Sequence, residues 1–184
     1  GEKVATIIPI KEFDDAKYMV IGTKSGIIKK TELSEYKNMR KGGLIAIELR
    51  DGDQLVNAEL ANDEDQIMLV TRKGMSIRFS QEDVRATSRA SIGVKGIELR
   101  EGDYVVSVDV CREGDTALVV TEKGYGKRSP LSEYKIQTRG GKGVMTYRLS
   151  EKTGDVVGMV PVQDNHDLML ITSSGTIIRL HCED

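Results

Sequence analysis

The sequence predicts an all-β, propeller-like chain of four-stranded blades, and three marks recurring at one interval of about 50 residues predict it. Thr-x-x-Gly stands at 23–26, 71–74, 121–124 and 172–175, in steps of 48, 50 and 51. Gly43, Gly93 and Gly143 are spaced by 50, and Leu49, Leu99 and Leu149 keep the same interval. Gly-Asp precedes an apolar segment at Gly52-Asp53, Gly102-Asp103 and Gly154-Asp155, and Gly1-Glu2 fills that slot at the start. The repeats therefore run over about 1–51, 52–101, 102–153 and 154–184, the last incomplete. One blade cannot bury both of its faces, so blades must stack. Three and a half of them predict a single domain that is a partial ring, favoured over a solenoid of β-units.

Each repeat reads as four short strands, in the first at 4–10, 17–23, 26–31 and 44–49. The second strand carries an apolar run in every repeat: Tyr-Met-Val-Ile (18–21), Ile-Met-Leu-Val (67–70), Ala-Leu-Val-Val (117–120) and Leu-Met-Leu-Ile (168–171). Continuous apolar runs of this length, bounded by turns, suit strands covered on both faces. The Thr-x-x-Gly turn joins strands two and three, with glycine supplying positive φ. Leu33-Ser-Glu-Tyr36, echoed at 131–134, predicts one helical turn, and no segment sustains a period of 3.6.

Composition narrows the function classes. The 184 residues carry a net charge of −2, with 39% hydrophobic and 30% charged residues, a globular balance. Aromatics reach only 4% with no Trp, which excludes an aromatic carbohydrate platform and weakens base stacking. No apolar run approaches the roughly 18 residues of a membrane span, and no signal-peptide pattern opens the chain. Two cysteines, Cys111 and Cys182, make no disulfide framework and predict a reducing cytosol. A start at Gly1 rather than Met predicts an excised fragment.

Charge is not spread evenly. The windows 21–42, 71–95 and 121–142, each running from the Thr-x-x-Gly turn through the long third connection, carry +4 apiece, so the remainder carries −14. Acidic residues gather between strands one and two: Asp14-Asp15, Asp63-Glu64-Asp65, Glu113 with Asp115, and Asp164 with Asp167. Adjacent turns lie at opposite ends of the strands, so each blade is expected to have a basic end and an acidic end. A basic stripe repeated blade after blade suits a regularly charged polyanion.

The third repeat contains Gln137-Thr138-Arg139-Gly140-Gly141-Lys142-Gly143, two cations spaced by glycines that let backbone amides approach a phosphate. It is not a P-loop, because Ile136 stands where glycine is needed and Gly143 where Ser or Thr should follow the lysine. Gly124-x-Gly126 lacks the third glycine of a dinucleotide fingerprint and joins two strands.

This heptapeptide resembles the Gln-Arg-Arg-Gly-Gly-Arg/Lys-Gly box of the DNA gyrase A C-terminal domains. Further phrases extend the resemblance over essentially the whole chain: Thr-Glu-Lys-Gly-Tyr-Gly-Lys-Arg (121–128), Glu-Asp-Val-Arg (82–85), Gly-Val-Lys-Gly-Ile (93–97) and Gly-Val (143–144). The resemblance implies a six-bladed β-pinwheel, a propeller-like disc with altered strand connections, that wraps duplex DNA on a basic outer rim. It implies as partners double-stranded DNA, the rest of the gyrase A polypeptide and the gyrase B polypeptide, in the bacterial cytoplasm and away from membranes. It implies no cofactor for this domain; ATP and magnesium belong to other parts of the holoenzyme, which introduces negative supercoils. Thr138 stands where the family box has its first Arg, and the family's full box belongs to the first blade. The repeats thus resemble later blades, about the third to the fifth with most of the sixth, and the present box is a degenerate copy. The phosphate contacts implied are Lys29, Lys30, Lys41, Arg78, Lys95, Lys127, Arg128, Arg139 and Lys142, with Gln137, Gly140, Gly141 and Gly143 completing the box-like motif.

No catalytic or metal constellation is present in the sequence. Tyr36 and Tyr134 share a repeat slot and read as core, His166 and His181 show no zinc spacing, and no nucleophile–base pair is evident. The chain is therefore expected to be non-catalytic alone. Alternatives are the C-terminal domain of the A-type topoisomerase IV polypeptide, a kelch-like protein-interaction propeller, whose aromatic marks are missing, and, more remotely, a carbohydrate-active or metal-dependent propeller enzyme.

Overall fold

The computed structural model describes residues 3–13 and 16–182. Gly1-Glu2, read as the first turn slot, and Asp14-Asp15, read as the first acidic turn, lie outside the described residues. Among the described residues the elements are thirteen strands and three 3-10 turns: β1(Tyr18–Thr23), β2(Ile27–Glu32), β3(Leu55–Ala61), β4(Gln66–Thr71), β5(Met75–Ser80), β6(Val94–Lys95), β7(Val105–Cys111), β8(Thr116–Thr121), β9(Gly126–Pro130), β10(Val144–Met145), β11(Val156–Val162), β12(Asp167–Ile171) and β13(Ile177–His181). The 3-10 turns Leu33–Tyr36, Gln81–Asp83 and Leu131–Glu133 each follow the third strand of a repeat.

The hairpin of each repeat forms as its residues dictate. The Thr71 carbonyl accepts from Gly74 N at 3.0 Å and its hydroxyl accepts from Met75 N at 3.1 Å; Thr23 and Thr172 repeat both bonds. Glycine closes this turn at φ 86, 85, 82 and 88° in the four copies, the left-handed position that turns a hairpin with a bulge. The Gly-Asp mark belongs to the same device. Asp103 Oδ1 accepts from Lys73 N at 3.0 Å, and Asp53 Oδ1 from Ser25 N at 2.9 Å, so the aspartate of one repeat caps the hairpin turn of the repeat before it.

The sheets do not coincide with the repeats. The sheet orders are β3-β1-β2-β6, β7-β4-β5-β10, β11-β8-β9 and β12-β13, with the ladders between these strands antiparallel and isolated parallel bridges at Lys30–Ala86 and Arg78–Ile136. Each four-stranded sheet thus takes its central hairpin from one repeat and both flanking strands from the next. The expectation that one repeat makes one blade is corrected on this point. The strands expected at 4–10 and 44–49 also do not form. They are the flanking slots of the first repeat, and no hairpin precedes them among the described residues to complete their ladders. An unpaired strand has no reason to extend.

β7 packs against both β3 and β11, so these strands line the inner side, while β6 and β10 lie at the opposite, outer edge. Two larger clusters make the core. Ile67, Leu69, Ile77 and Phe79 of the second sheet meet Val20 and Ile28 of the first, and Met68 and Val70 on the other face meet Ala117 and Val119 of the third and Leu131 of the 3-10 turn that follows it. The second sheet is the filling between two others, and its Ile-Met-Leu-Val run is wholly buried. Each such side chain is stabilising by about 1.5–3 kcal/mol.

Candidate nucleic-acid interface

The strand exchange decides where the cations go. The Thr-x-x-Gly turns lie beside the Gly-Asp turns, while the 3-10 turns lie at the other end with the acidic turns: Gln81 N donates to Asp65 O at 3.2 Å and Leu131 N to Asp115 O at 3.2 Å. Each +4 window therefore spans both ends of its hairpin, and the expected division into a basic end and an acidic end is not what forms. The turn cations are engaged locally. Lys24 lies 4.4 Å from the Tyr104 ring centroid, Lys73 Nζ donates to Glu101 O at 2.8 Å, Lys123 Nζ donates to Glu151 O, and Arg72 pairs with Asp155 at 2.6 Å. Beyond the 3-10 turn, the chain runs along the outside of the sheet to β6 or β10.

Three of the expected phosphate contacts are held by groups of the protein itself, two of them buried and Arg78 half-buried. Lys29 is 1% exposed, and its ammonium donates to Ala46 O at 2.7 Å and to Arg89 O; burial lowers its pKa to about 8. Lys30 is also buried. It donates to Gln81 O at 3.1 Å and Gln81 Oε1 at 2.5 Å and stands 4.3 Å from the Tyr18 ring centroid, and burial pulls its pKa down. Arg78 donates Nε to Gln66 Oε1 at 2.6 Å and Nη1 to Leu131 O and Tyr134 O at 2.6 and 2.8 Å. The sequence pattern missed this because a basic residue inside a strand looks the same whether it faces water or the next sheet.

Lys127 and Arg128 occupy the corresponding slots in the third repeat. Lys127 is exposed, whereas Arg128 donates to Thr116 Oγ1 at 2.7 Å and to Cys182 O and pairs with Asp164 at 2.5 Å. Lys127 owes its exposure to position, since no outer segment covers β9 among the described residues.

The box-like loop lies flat on the outer segment of the preceding repeat. Gln137 N donates to Arg78 O at 2.8 Å, Gly140 N to Gly96 O at 2.7 Å, and Gly141 O accepts from Glu98 N at 2.8 Å. Half-buried Arg139 donates Nε to Asp83 O at 2.7 Å and Nη1 to Lys95 O at 3.0 Å. Gly143 has φ 70°, and a Cβ there would overlap the Ser76 carbonyl. Gly143 therefore serves close packing of loop on sheet, and the Gly140 N–H is donated to a backbone carbonyl rather than left free for an anion.

Lys41, Lys95 and Lys142 do lie exposed on these outer segments. A further set escaped the sequence reading. Lys37, Arg85 and Lys135, spaced by 48 and 50, each follow a 3-10 turn and are all exposed. Their signal was the repeat interval itself, applied to single charges rather than to windows.

A buried aspartate and a half-buried glutamate meet on the inner side. Glu59 on β3 and Asp109 on β7 hold one repeat slot on adjacent inner strands. Val110 N donates to Glu59 Oε2 at 2.8 Å, Ser107 Oγ donates to Asp109, and burial, with the Glu59 charge beside it, raises the Asp109 pKa to about 7. His166 accepts from Gln163 N at 3.1 Å and so caps its own turn, while His181 contacts Asp167 at 2.5 Å. Among the described residues no helix is long and apolar enough to cross a membrane.

A family model described as DNA gyrase C-terminal domain, beta-propeller, matches residues 17–62, 65–112, 115–163 and 166–184. The chain is 61% identical over 183 residues to a DNA gyrase A protein of Halalkalibacterium halodurans and 52% identical over 184 residues to that of Clostridium acetobutylicum. Each alignment covers 100% of this chain and 22% of the relative, so the chain spans about a fifth of their length. Among solved structures, the C-terminal domain of DNA topoisomerase IV superposes with a TM-score of 0.87 at 32% identity, covering 96% of this chain and 56% of that one. A DNA gyrase A C-terminal domain superposes with a TM-score of 0.83 at 32% identity, covering 92% and 57%.

Proposed function

The chain belongs to the DNA gyrase C-terminal domain family, and from that premise we propose that it binds duplex DNA along its outer edge and wraps it, as a module of a gyrase A polypeptide. In this reading it serves negative supercoiling driven by ATP elsewhere in a bacterial cytoplasmic enzyme that also contains gyrase B, and carries no cofactor or catalytic step of its own. The observation that supports it best is the recurrence of exposed cations on successive outer segments: Lys37 and Lys41, Arg85 and Lys95, Lys135 and Lys142. Lysine and arginine placed at a regular interval on one edge neutralise phosphates without reading bases. The high identity to named gyrase A proteins favours this over the topoisomerase IV alternative, to which the fold is equally close.

The test is a salt titration of binding to a linear duplex of about 40 base pairs. Six phosphate contacts predict a slope of log K against log salt of about −5, whatever the DNA sequence. Lys95→Ala with Lys142→Ala should flatten that slope by about 2. Lys29→Met should leave the slope unchanged while lowering stability by about 1–3 kcal/mol, since two carbonyls lose their donor. A flat salt response, or a change in base preference on removing Lys95 and Lys142, contradicts backbone binding.

A further inference from the structure

One repeat slot holds a long cation in all four repeats: Lys30, Arg78, Arg128 and Arg179. Each reaches back to the residue twelve before it, on the neighbouring strand: the Tyr18 ring, Gln66, Thr116 and Asp167 respectively. The first three also reach forward, past their own sheet. Lys30 on β2 donates to Gln81, the start of the 3-10 turn after β5. Arg78 on β5 donates to Leu131 and Tyr134, in and just after the 3-10 turn that follows β9. Arg128 on β9 donates to Cys182 O, just after β13, and pairs with Asp164 in the turn between β11 and β12. The side chain changes from lysine to arginine and the back partner from ring to amide to hydroxyl. The forward reach from one sheet to the end of the next stays the same.

We propose that the cation at this slot is a positioning residue that sets the angle between successive sheets, and with it the curvature of the outer edge along which DNA is bent. This rests on the DNA-wrapping reading above for its consequence, though not for its geometry. Charge-assisted bonds to fixed backbone carbonyls at half-buried positions are the strong and directional kind. Apolar contact between sheets holds them together without fixing a hinge angle, because it is non-directional. The role also separates binding from bending. The outer-edge lysines provide phosphate attraction, and the clips determine how far successive outer edges turn. Bending a segment shorter than DNA's persistence length of about 150 base pairs costs elastic energy, so a loosened ring still binds but bends less.

The test uses the whole chain and two independent readouts. Spin labels at Glu82→Cys and Ser132→Cys, both exposed on successive 3-10 turns, report the angle between the second and third sheets in the DNA-free protein, and the native Cys111 and Cys182 are buried. The clip predicts a narrow distance distribution in the parent, a broad one in Arg78→Met, and a narrow one again in Arg78→Lys, the residue type the first repeat uses. On DNA, Arg78→Met should bind a duplex of about 40 base pairs within about twofold of the parent and with the same salt slope. Its enhancement of ring closure of a fragment of about 150 base pairs should fall at least about threefold, with Arg78→Lys restoring it. Unchanged spin-label distances in Arg78→Met overturn the clip. A salt slope reduced by about 1, with unchanged distances, makes Arg78 a phosphate contact and overturns it equally. Absence of duplex binding by the parent defeats the DNA-wrapping reading, and the spin-label arm still decides the clip. Should Arg78→Met not fold, Lys30→Met with labels at Ser34→Cys and Glu82→Cys puts the same question to the first two sheets.

Discussion

The second hairpin, β4 and β5, and the fourth, β12 and β13, are near copies in sequence and opposites in environment. Ile-Met-Leu-Val at 67–70 is buried throughout, with Met68 at 0% exposure; Leu-Met-Leu-Ile at 168–171 leaves Met169 at 66%. The second hairpin has a flanking strand on each side and a sheet against each face. The fourth has neither flanking strand among the described residues. The apolar run specifies a strand able to be buried on both faces; which copy is buried depends on the repeats around it, as expected of a chain whose units stabilise one another through their interfaces.

The sharpest way to break this comparison is to truncate the matched methionines. Met68→Ala should cost about 2–5 kcal/mol by leaving a cavity between two sheets, whereas Met169→Ala should stay within about 0.5 kcal/mol. Equal losses in denaturant unfolding would mean that the exposed hairpin is packed after all. The hairpin glycines come next. Gly74 and Gly124 share their turn and a positive φ, but a Cβ on Gly74 would overlap the Tyr147 carbonyl, while one on Gly124 meets nothing within 4 Å. Gly124→Ala should therefore cost only the left-handed penalty of about 1–2 kcal/mol, and Gly74→Ala roughly 3 kcal/mol or more. Similar Tm shifts in the two variants would show that the outer segment around Tyr147 yields easily.

The third contrast concerns pH and sets the inner side against the outer edge. Asp109 holds its proton up to about pH 7 in the folded chain and releases it near 4 when unfolded. Between those values the folded state binds the extra proton, so Asp109 makes stability fall as pH rises from about 4 to about 7, with little further change above. Asp109→Asn should remove that slope and be the more stable form at about pH 8. Parallel Tm–pH curves for the two proteins would show that Asp109 is ionised throughout.

Much of the fold was legible in the residues. The Thr-x-x-Gly turn, the buried middle strand and the helical turn after the third strand each follow from a local signal: a hydroxyl beside a glycine, a run of apolar side chains, a Leu-Ser-Glu-Tyr phrase. The candidate interface was legible only in part. Lys41, Lys95 and Lys142 stand exposed on the outer segments, while Lys29 and Lys30 are buried and half-buried Arg78 is held by backbone carbonyls. Charge identifies a side chain that needs a partner, and phosphate, water and a backbone carbonyl all satisfy it. Arg139 shows the same ambiguity within the box, where two carbonyls of the preceding repeat hold its guanidinium.

The sequence by itself determined the repeat, the hairpins, the glycine turns and the family, because each depends on neighbours within a few residues or on an interval that can be counted. Tertiary structure alone decided that the sheets straddle the repeats, that one slot of cations clips sheet to sheet, and that Lys41, Lys95 and Lys142 stand exposed on the outer segments. Those outcomes depend on residues about 50 positions apart meeting in space, where the ladder that completes a sheet and the carbonyl that captures an ammonium are supplied by the following repeat.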